Sequence, residues 1–140
     1  MEKLLTEISR FRSWAAETKH VAAEWEFYYP DWDKIYSSLE FAVSDQPPSL
    51  VLKYAQELLY ILARDNEAEF ILEALEEHPE VGISLAQEGL TYPDHEARWQ
   101  LAVLLGRIRT DRALDLLNQY LNDEHEYVRR RARFAVTGDD

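Results

Sequence analysis

The 140-residue chain contains no cysteine and has a formal net charge of −12, with 27 acidic residues against 15 lysines and arginines. The lack of cysteine excludes disulfides and thiolate metal sites and fits a reducing compartment. No stretch reaches the ~20 apolar residues of a membrane span, and no long apolar run follows Met1 as in a signal peptide. We therefore expect one cytoplasmic domain, residues 1–140, with a core of its own.

The negative charge is concentrated in the N-terminal part of the chain. Residues 1–90 hold 18 acids and 7 bases, whereas residues 91–140 hold 9 acids and 8 bases, all of them arginine. Such a field repels nucleic acid and steers a basic protein toward the N-terminal part. We expect a basic protein partner, with neither nucleic acid nor membrane as a ligand.

The N-terminal segment, residues 1–47, is predicted to form a helical cap. Apolar residues recur at helical spacing from Leu4 onward and indicate a first helix over residues 3–25. Asp31 is placed to cap a second helix, and the turn at Pro47 ends it.

The next segment, residues 49–91, also has helical periodicity. It predicts a helix over residues 49–64, a capping box at Asn66–Glu69 that starts another helix, and a short helix from His78 to Leu90. A self-similarity at a spacing of 46 residues spans three helices here rather than two. Two-helix units with one helix extra and an armadillo-like triplet both stay open.

Two stretches of the C-terminal part are copies of each other, Tyr92–Arg98 and Asn122–Arg129. The spacing is 30 residues between His95 and His125 and 31 between Arg98 and Arg129. A helical pattern with a period near 30 indicates a solenoid, in which each unit buries its apolar face against its neighbours. The predicted helices of this part span residues 94–108, 112–121 and 125–136.

These two copies resemble the HEAT-like repeats first named for bilin lyases. The matching positions of the first copy are Pro93, Asp94, Glu96, Arg98, Leu105, Gly106, Arg107 and Ile108. The resemblance covers residues 92–136 well and 49–91 loosely. It implies an all-α fold, an α-α right-handed superhelix of HEAT- or armadillo-like repeats over residues 48–140, with the N-terminal cap in front. Such repeats are scaffolds that serve many partners.

Arginines and histidines recur in the two copies, and each residue type suggests a role. In HEAT-like repeats an arginine pairs with a loop aspartate to form a ladder between units, so we expect Arg98 and Arg129 to meet the loop aspartates. The pairs at His95 and His125, each followed by glutamate, resemble those that hold two irons in the HEAT-type deoxyhypusine hydroxylase. That family needs four pairs and this chain offers two, so we predict neither a metal nor another cofactor.

An aromatic and acidic segment is the strongest candidate for a binding site. Six of the 17 aromatic residues fall between Trp25 and Tyr36, interleaved with acids, around the bend at Pro30. Exposed Tyr and Trp are effective interface anchors, while packing of the cap would instead bury the rings. Core and binding surface are equally favoured. The predicted partner-binding residues are Trp25, Tyr28, Tyr29, Trp32 and Asp33, with Trp99 and Arg130 on the inner face of the repeats.

No pattern in the chain indicates catalysis, since it has neither a phosphate-binding glycine loop nor zinc-ligand spacing. We therefore predict a monomeric, non-catalytic protein-binding module. Size and charge suggest a bacterial immunity protein or inhibitor that neutralises a basic toxin or nuclease. The alternative is a cofactor- or metal-dependent enzyme of the HEAT-repeat type, bilin lyase-like or diiron hydroxylase-like.

Overall fold

The computed structural model describes residues 1–17 and 29–138, and every regular element in these two ranges is an α-helix. This confirms the predicted all-α helical repeat fold. The helices are α1 (Glu2–Glu17), α2 (Trp32–Asp45), α3 (Pro48–Leu52), α4 (Ala55–Arg64), α5 (Phe70–Glu76), α6 (Pro79–Gly89), α7 (His95–Ile108), α8 (Asp111–Tyr120) and α9 (Glu126–Thr137).

The N-terminal helices α1 and α2 pack against each other through one apolar face of each. The buried residues Leu4, Ile8 and Phe11 recur every three or four positions along α1, which places them on one side of the helix. The part of the predicted first helix beyond Glu17 lies outside the described residues. Asp31 precedes α2 as expected, but its side chain makes no capping hydrogen bond and pairs instead with Arg10 at 3.1 Å.

The chain between the cap and the repeats differs from the sequence prediction at two points. The predicted helix 49–64 is split into α3 and α4, because the amide of Tyr54 bonds the carbonyl of Val51 three residues back and tightens the turn. The capping box at Asn66–Glu69 does not form. Glu69 has a φ of 58°, and the buried Asp65 accepts the amide hydrogen of Ile71 at 2.9 Å instead.

Helix α7 is the centre of the fold, with residues 97–106 all buried. It contacts α4, α5, α6, α8 and α9. Its start is capped by Asp94, which accepts the amide hydrogen of Glu96 at 2.9 Å. Thr110 caps α8 in the same way through the amide of Ala113.

Helices α7 and α9 lie side by side in the same direction. The rings of His95 and His125 stack near the two N-termini, with centroids 3.9 Å apart, and Gly106 lies against Ala135 near the two C-termini. A Cβ at position 106 would come within 2.6 Å of the Ala135 Cβ, so this approach requires glycine. The recurrence at 30–31 residues is thus a physical stack of helices.

Helix α4 meets α7 differently. The side-chain amide of Gln100 donates to the carbonyl of Leu62 at 2.8 Å, so the C-terminal end of α4 abuts the N-terminal half of α7. Between them the chain passes through both α5 and α6. The similarity at 46 residues, which pairs Leu62 with Ile108, therefore does not correspond to a parallel stack like that of α7 and α9.

Candidate protein-binding surfaces

A chain of touching aromatic rings leads from the core of the N-terminal helices to the surface. The ring of Tyr29 lies 4.9 Å from that of Phe11 and 5.9 Å from that of Trp32, measured between centroids. Trp32 stacks on Tyr36 at 5.7 Å, and Tyr36 meets Phe70 edge-on at 5.0 Å. In the described part of the aromatic segment, residues 29–36, the rings of Tyr29 and Trp32 therefore lie in the core, and Tyr36 connects them to the exposed Phe70.

Burial removes two predicted anchors from the accessible surface. Tyr29 is 6% exposed and Trp32 is 7% exposed, so both belong to the core and offer a partner little surface. Their counter-surface is α1, whose Phe11 and Trp14 pack on them. Burial also raises the pKa of the Tyr29 hydroxyl.

The other predicted residues of this segment divide into two groups. Asp33 is exposed on the first turn of α2, where a ligand can reach it. Trp25 and Tyr28 lie outside the described residues.

The exposed end of the ring chain forms a groove between α2 and α5, which we call the α2/α5 groove. It has a volume of about 470 Å³ and is lined by Tyr36, Ser37, Leu39, Glu40, Phe70, Glu73, Ala74 and Glu77. Phe70 is 51% exposed although its neighbours Ile71 and Leu72 are buried. In the sequence this difference shows only in the helical spacing, which places Phe70 off the helix face shared by Ile71 and Leu75.

The groove has an aromatic floor and an acidic rim. The hydroxyl of Tyr36 donates to Asp65 at 2.6 Å, which holds the ring in place. Glu40, Glu73 and Glu77 surround it. A second groove of about 590 Å³ between α1 and α2 contains Phe41, which is 64% exposed. Exposed rings beside carboxylates favour an apolar side chain flanked by Lys or Arg.

The two residues predicted on the inner face of the repeats have different roles. Trp99 is buried, and its indole N–H donates to Glu96 at 3.1 Å, so it packs between the helices and offers a partner little surface. The guanidinium of Arg131 covers its ring at 4.5 Å, and Tyr127 meets it edge-on. Arg130 is exposed on α9 and is available to a ligand.

The arginine ladder exists, but with one unexpected member. Arg98 forms a bidentate ion pair with Asp123, at 2.8 and 3.1 Å, in which both side chains are buried. Asp94 is bound at 2.9 Å by Arg64 of α4, a residue that the sequence pattern did not single out. Arg129 meets no loop aspartate side chain among the described residues and pairs with Glu126 instead, which corrects its predicted role.

The two His-Glu pairs take part in structural contacts. Glu96 accepts hydrogen bonds from Asn66 at 2.9 Å and Trp99 at 3.1 Å, and lies 3.2 Å from His95. His125 accepts the amide hydrogen of Tyr127 at the start of α9. Within residues 1–17 and 29–138, no group of three or more His, Cys, Asp or Glu side chains is arranged to hold a metal ion. In the same ranges, no helix has both the length and the apolar character needed to cross a membrane.

Comparison with known proteins agrees with this geometry. The family model for HEAT repeats matches residues 55–137, which extends from α4 to the end of α9. No curated protein and no solved structure gives a match to the chain.

Proposed function

This chain belongs to the HEAT repeat family, and we propose that it is a non-catalytic module that binds a basic protein at the α2/α5 groove. HEAT repeats usually mediate protein interactions. Their helices supply rigid surfaces, so specificity lies in the side chains that a given chain exposes. In this chain two exposed aromatic residues, Phe41 and Phe70, lie in the acidic N-terminal part, residues 1–90.

The observation that carries this function is the exposed ring of Phe70 inside an acidic rim. A half-exposed phenylalanine contributes little to folding. A partner that covers its ring removes apolar surface from water, which favours binding. Tyr36 supports it from below, and Asp65 fixes Tyr36. The groove contains three carboxylates, those of Glu40, Glu73 and Glu77. Each of them would form an ion pair with a Lys or Arg of the ligand.

The field of the whole chain favours the same class of partner. The excess of 18 acids over 7 bases in residues 1–90 attracts a cationic protein from a distance. This attraction is screened over ~10 Å at 0.1 M salt, so salt would slow association more than it speeds dissociation. An inhibitor or immunity protein that neutralises a basic toxin or nuclease is the role that this chemistry fits best.

The test uses a basic amphipathic peptide of leucine and lysine, about 18 residues long, as the probe. We expect it to bind the α2/α5 groove, with amide shifts in NMR spectra confined to α2 and α5. Changing Phe70→Ser or Glu73→Lys should weaken binding about 30-fold, the equivalent of ~2 kcal/mol for an anchor.

Phe134→Ser on α9 is the matched control, because it removes a similarly exposed phenylalanine that does not line the groove. It should leave the affinity for the basic peptide unchanged. Equal weakening by Phe70→Ser and Phe134→Ser, or no weakening by either, would contradict a specific site at α2/α5. Circular dichroism melting should show that all three variants stay folded.

A further inference from the structure

No helix of the described residues covers the outward face of α9. The opposite face is buried through Val128, Ala132 and Ala135, which pack toward α7. The outward face carries Arg130, Arg133 and the 46% exposed ring of Phe134. Apolar and cationic side chains thus share one exposed stripe.

The internal repeat identifies what this stripe corresponds to. Arg98 donates to the carbonyl of Tyr92 at 2.7 Å, six residues back, and Arg129 donates to the carbonyl of Asp123 at 2.6 Å, also six residues back. The two arginines are therefore equivalent at a shift of 31 residues. The same shift places Arg130, Arg133 and Phe134 at the positions of Trp99, Ala102 and Val103 of α7.

The equivalent face of α7 is fully covered. Trp99, Ala102 and Val103 are buried, and Tyr127 and Arg131 of α9 pack on the ring of Trp99. Asp123 binds the buried guanidinium of Arg98 through two hydrogen bonds, at 2.8 and 3.1 Å. At α9 the corresponding guanidinium, that of Arg129, is partly exposed, and besides the carbonyl of Asp123 it binds Glu126 of its own helix.

We propose that the α9 face is a second docking surface, which binds an acidic helical segment of a partner protein. A carboxylate in the loop before that helix would take the place at Arg129 that Asp123 takes at Arg98. Further carboxylates on the helix would face Arg130 and Arg133, and an apolar side chain would cover Phe134. This surface is distinct from the α2/α5 groove and opposite to it in charge.

A further copy of the chain's own repeat does not fit this face. In the existing stack the guanidinium of Arg131 lies 4.5 Å from the Trp99 ring, and the position equivalent to Trp99 on α9 is Arg130. A second copy of the unit would therefore oppose two guanidinium groups, which repel each other. Nucleic acid is disfavoured because the net charge of −12 repels its phosphates. An acidic helix satisfies the same geometry without either penalty.

The experiment uses the full chain and two helix-stapled peptides of residues 121–138. In the acidic peptide Arg130, Arg131 and Arg133 are changed to Glu, and in the control peptide the sequence is unchanged. We expect the acidic peptide to bind at least about tenfold more tightly, with NMR shifts centred on residues 129–137. Phe134→Ser together with Arg130→Gln in the full chain should weaken this binding by a similar factor, while Phe70→Ser should not.

Three results would overturn the assignment. One is equal binding of the acidic and control peptides, and another is shifts that fall outside α9. The third is that a short single-stranded DNA binds residues 129–137 while the acidic peptide does not, which would make the face a nucleic-acid site. Because Phe134 and Arg130 are exposed, unchanged melting temperatures should separate loss of binding from loss of folding.

Discussion

Removing the guanidinium of Arg98 should destabilise the fold more than removing that of any exposed arginine. Arg98→Ala deletes the two bonds to Asp123 and those to the carbonyls of Tyr92 and Pro93, all in a buried site. Breaking a buried ion pair from one side costs about 3–5 kcal/mol, because the remaining charge stays buried without its partner.

Asp123 keeps one hydrogen bond in the variant, since it accepts the amide hydrogen of His125 at 2.9 Å. This residual partner places the expected loss at the lower end of that range, about 3 kcal/mol. For a domain of this length the melting temperature would fall by ~10 °C. Urea unfolding followed by circular dichroism measures the free energy directly.

Arg129→Ala is the matched control, because it is the same residue at the equivalent repeat position. Its ion pair with Glu126 is exposed and screened by solvent, so the expected loss is well below that of Arg98→Ala. A double-mutant cycle of Arg98→Ala with Asp123→Ala should show a coupling energy of at least ~1.5 kcal/mol. Equal losses for Arg98→Ala and Arg129→Ala, or a coupling near zero, would refute the role of the buried pair.

Two further substitutions test the packing around α7. Gly106→Ala should lower the free energy of unfolding, measured in urea, by about 1–3 kcal/mol, because its Cβ would lie 2.6 Å from that of Ala135. A more stable variant would show that α7 and α9 separate easily. Tyr120→Phe should cost ~1–2 kcal/mol in the same measurement, because it removes the 2.7 Å bond to the buried carbonyl of Ala86. Unchanged stability of Tyr120→Phe would mean that this carbonyl finds another donor.

The repeat helices could be predicted from the sequence because their signals are local. Asp94 and Thr110 cap helices within three residues of themselves, so their spacing alone reveals the two N-termini. Gly106 was also identified from the sequence, because it matches the repeat motif. The contact that requires a glycine there, with Ala135 of α9, is not local. The start of α5 was mispredicted because its capping group, Asp65, lies six residues before the amide that it binds.

The candidate sites could be predicted only in part. The sequence located an aromatic and acidic segment and a row of arginines, and both contribute to the exposed surfaces proposed above. It could not identify which rings are buried, because that depends on Phe11 and Trp14 of α1. Nor could it identify Phe70 as exposed, since neighbouring apolar residues in a short helix do not show which of them faces the solvent.

By itself the sequence determined the all-α class, the period of 30–31 residues and the uneven distribution of charge, since each follows from spacing and composition. The tertiary structure alone decided the partners of the charged and aromatic groups. Arg64 reaches Asp94 across 30 residues, whereas Arg129 turns back to Glu126 three residues away. Side chains pair with whatever packing brings within a few ångströms, and packing between helices depends on the whole chain.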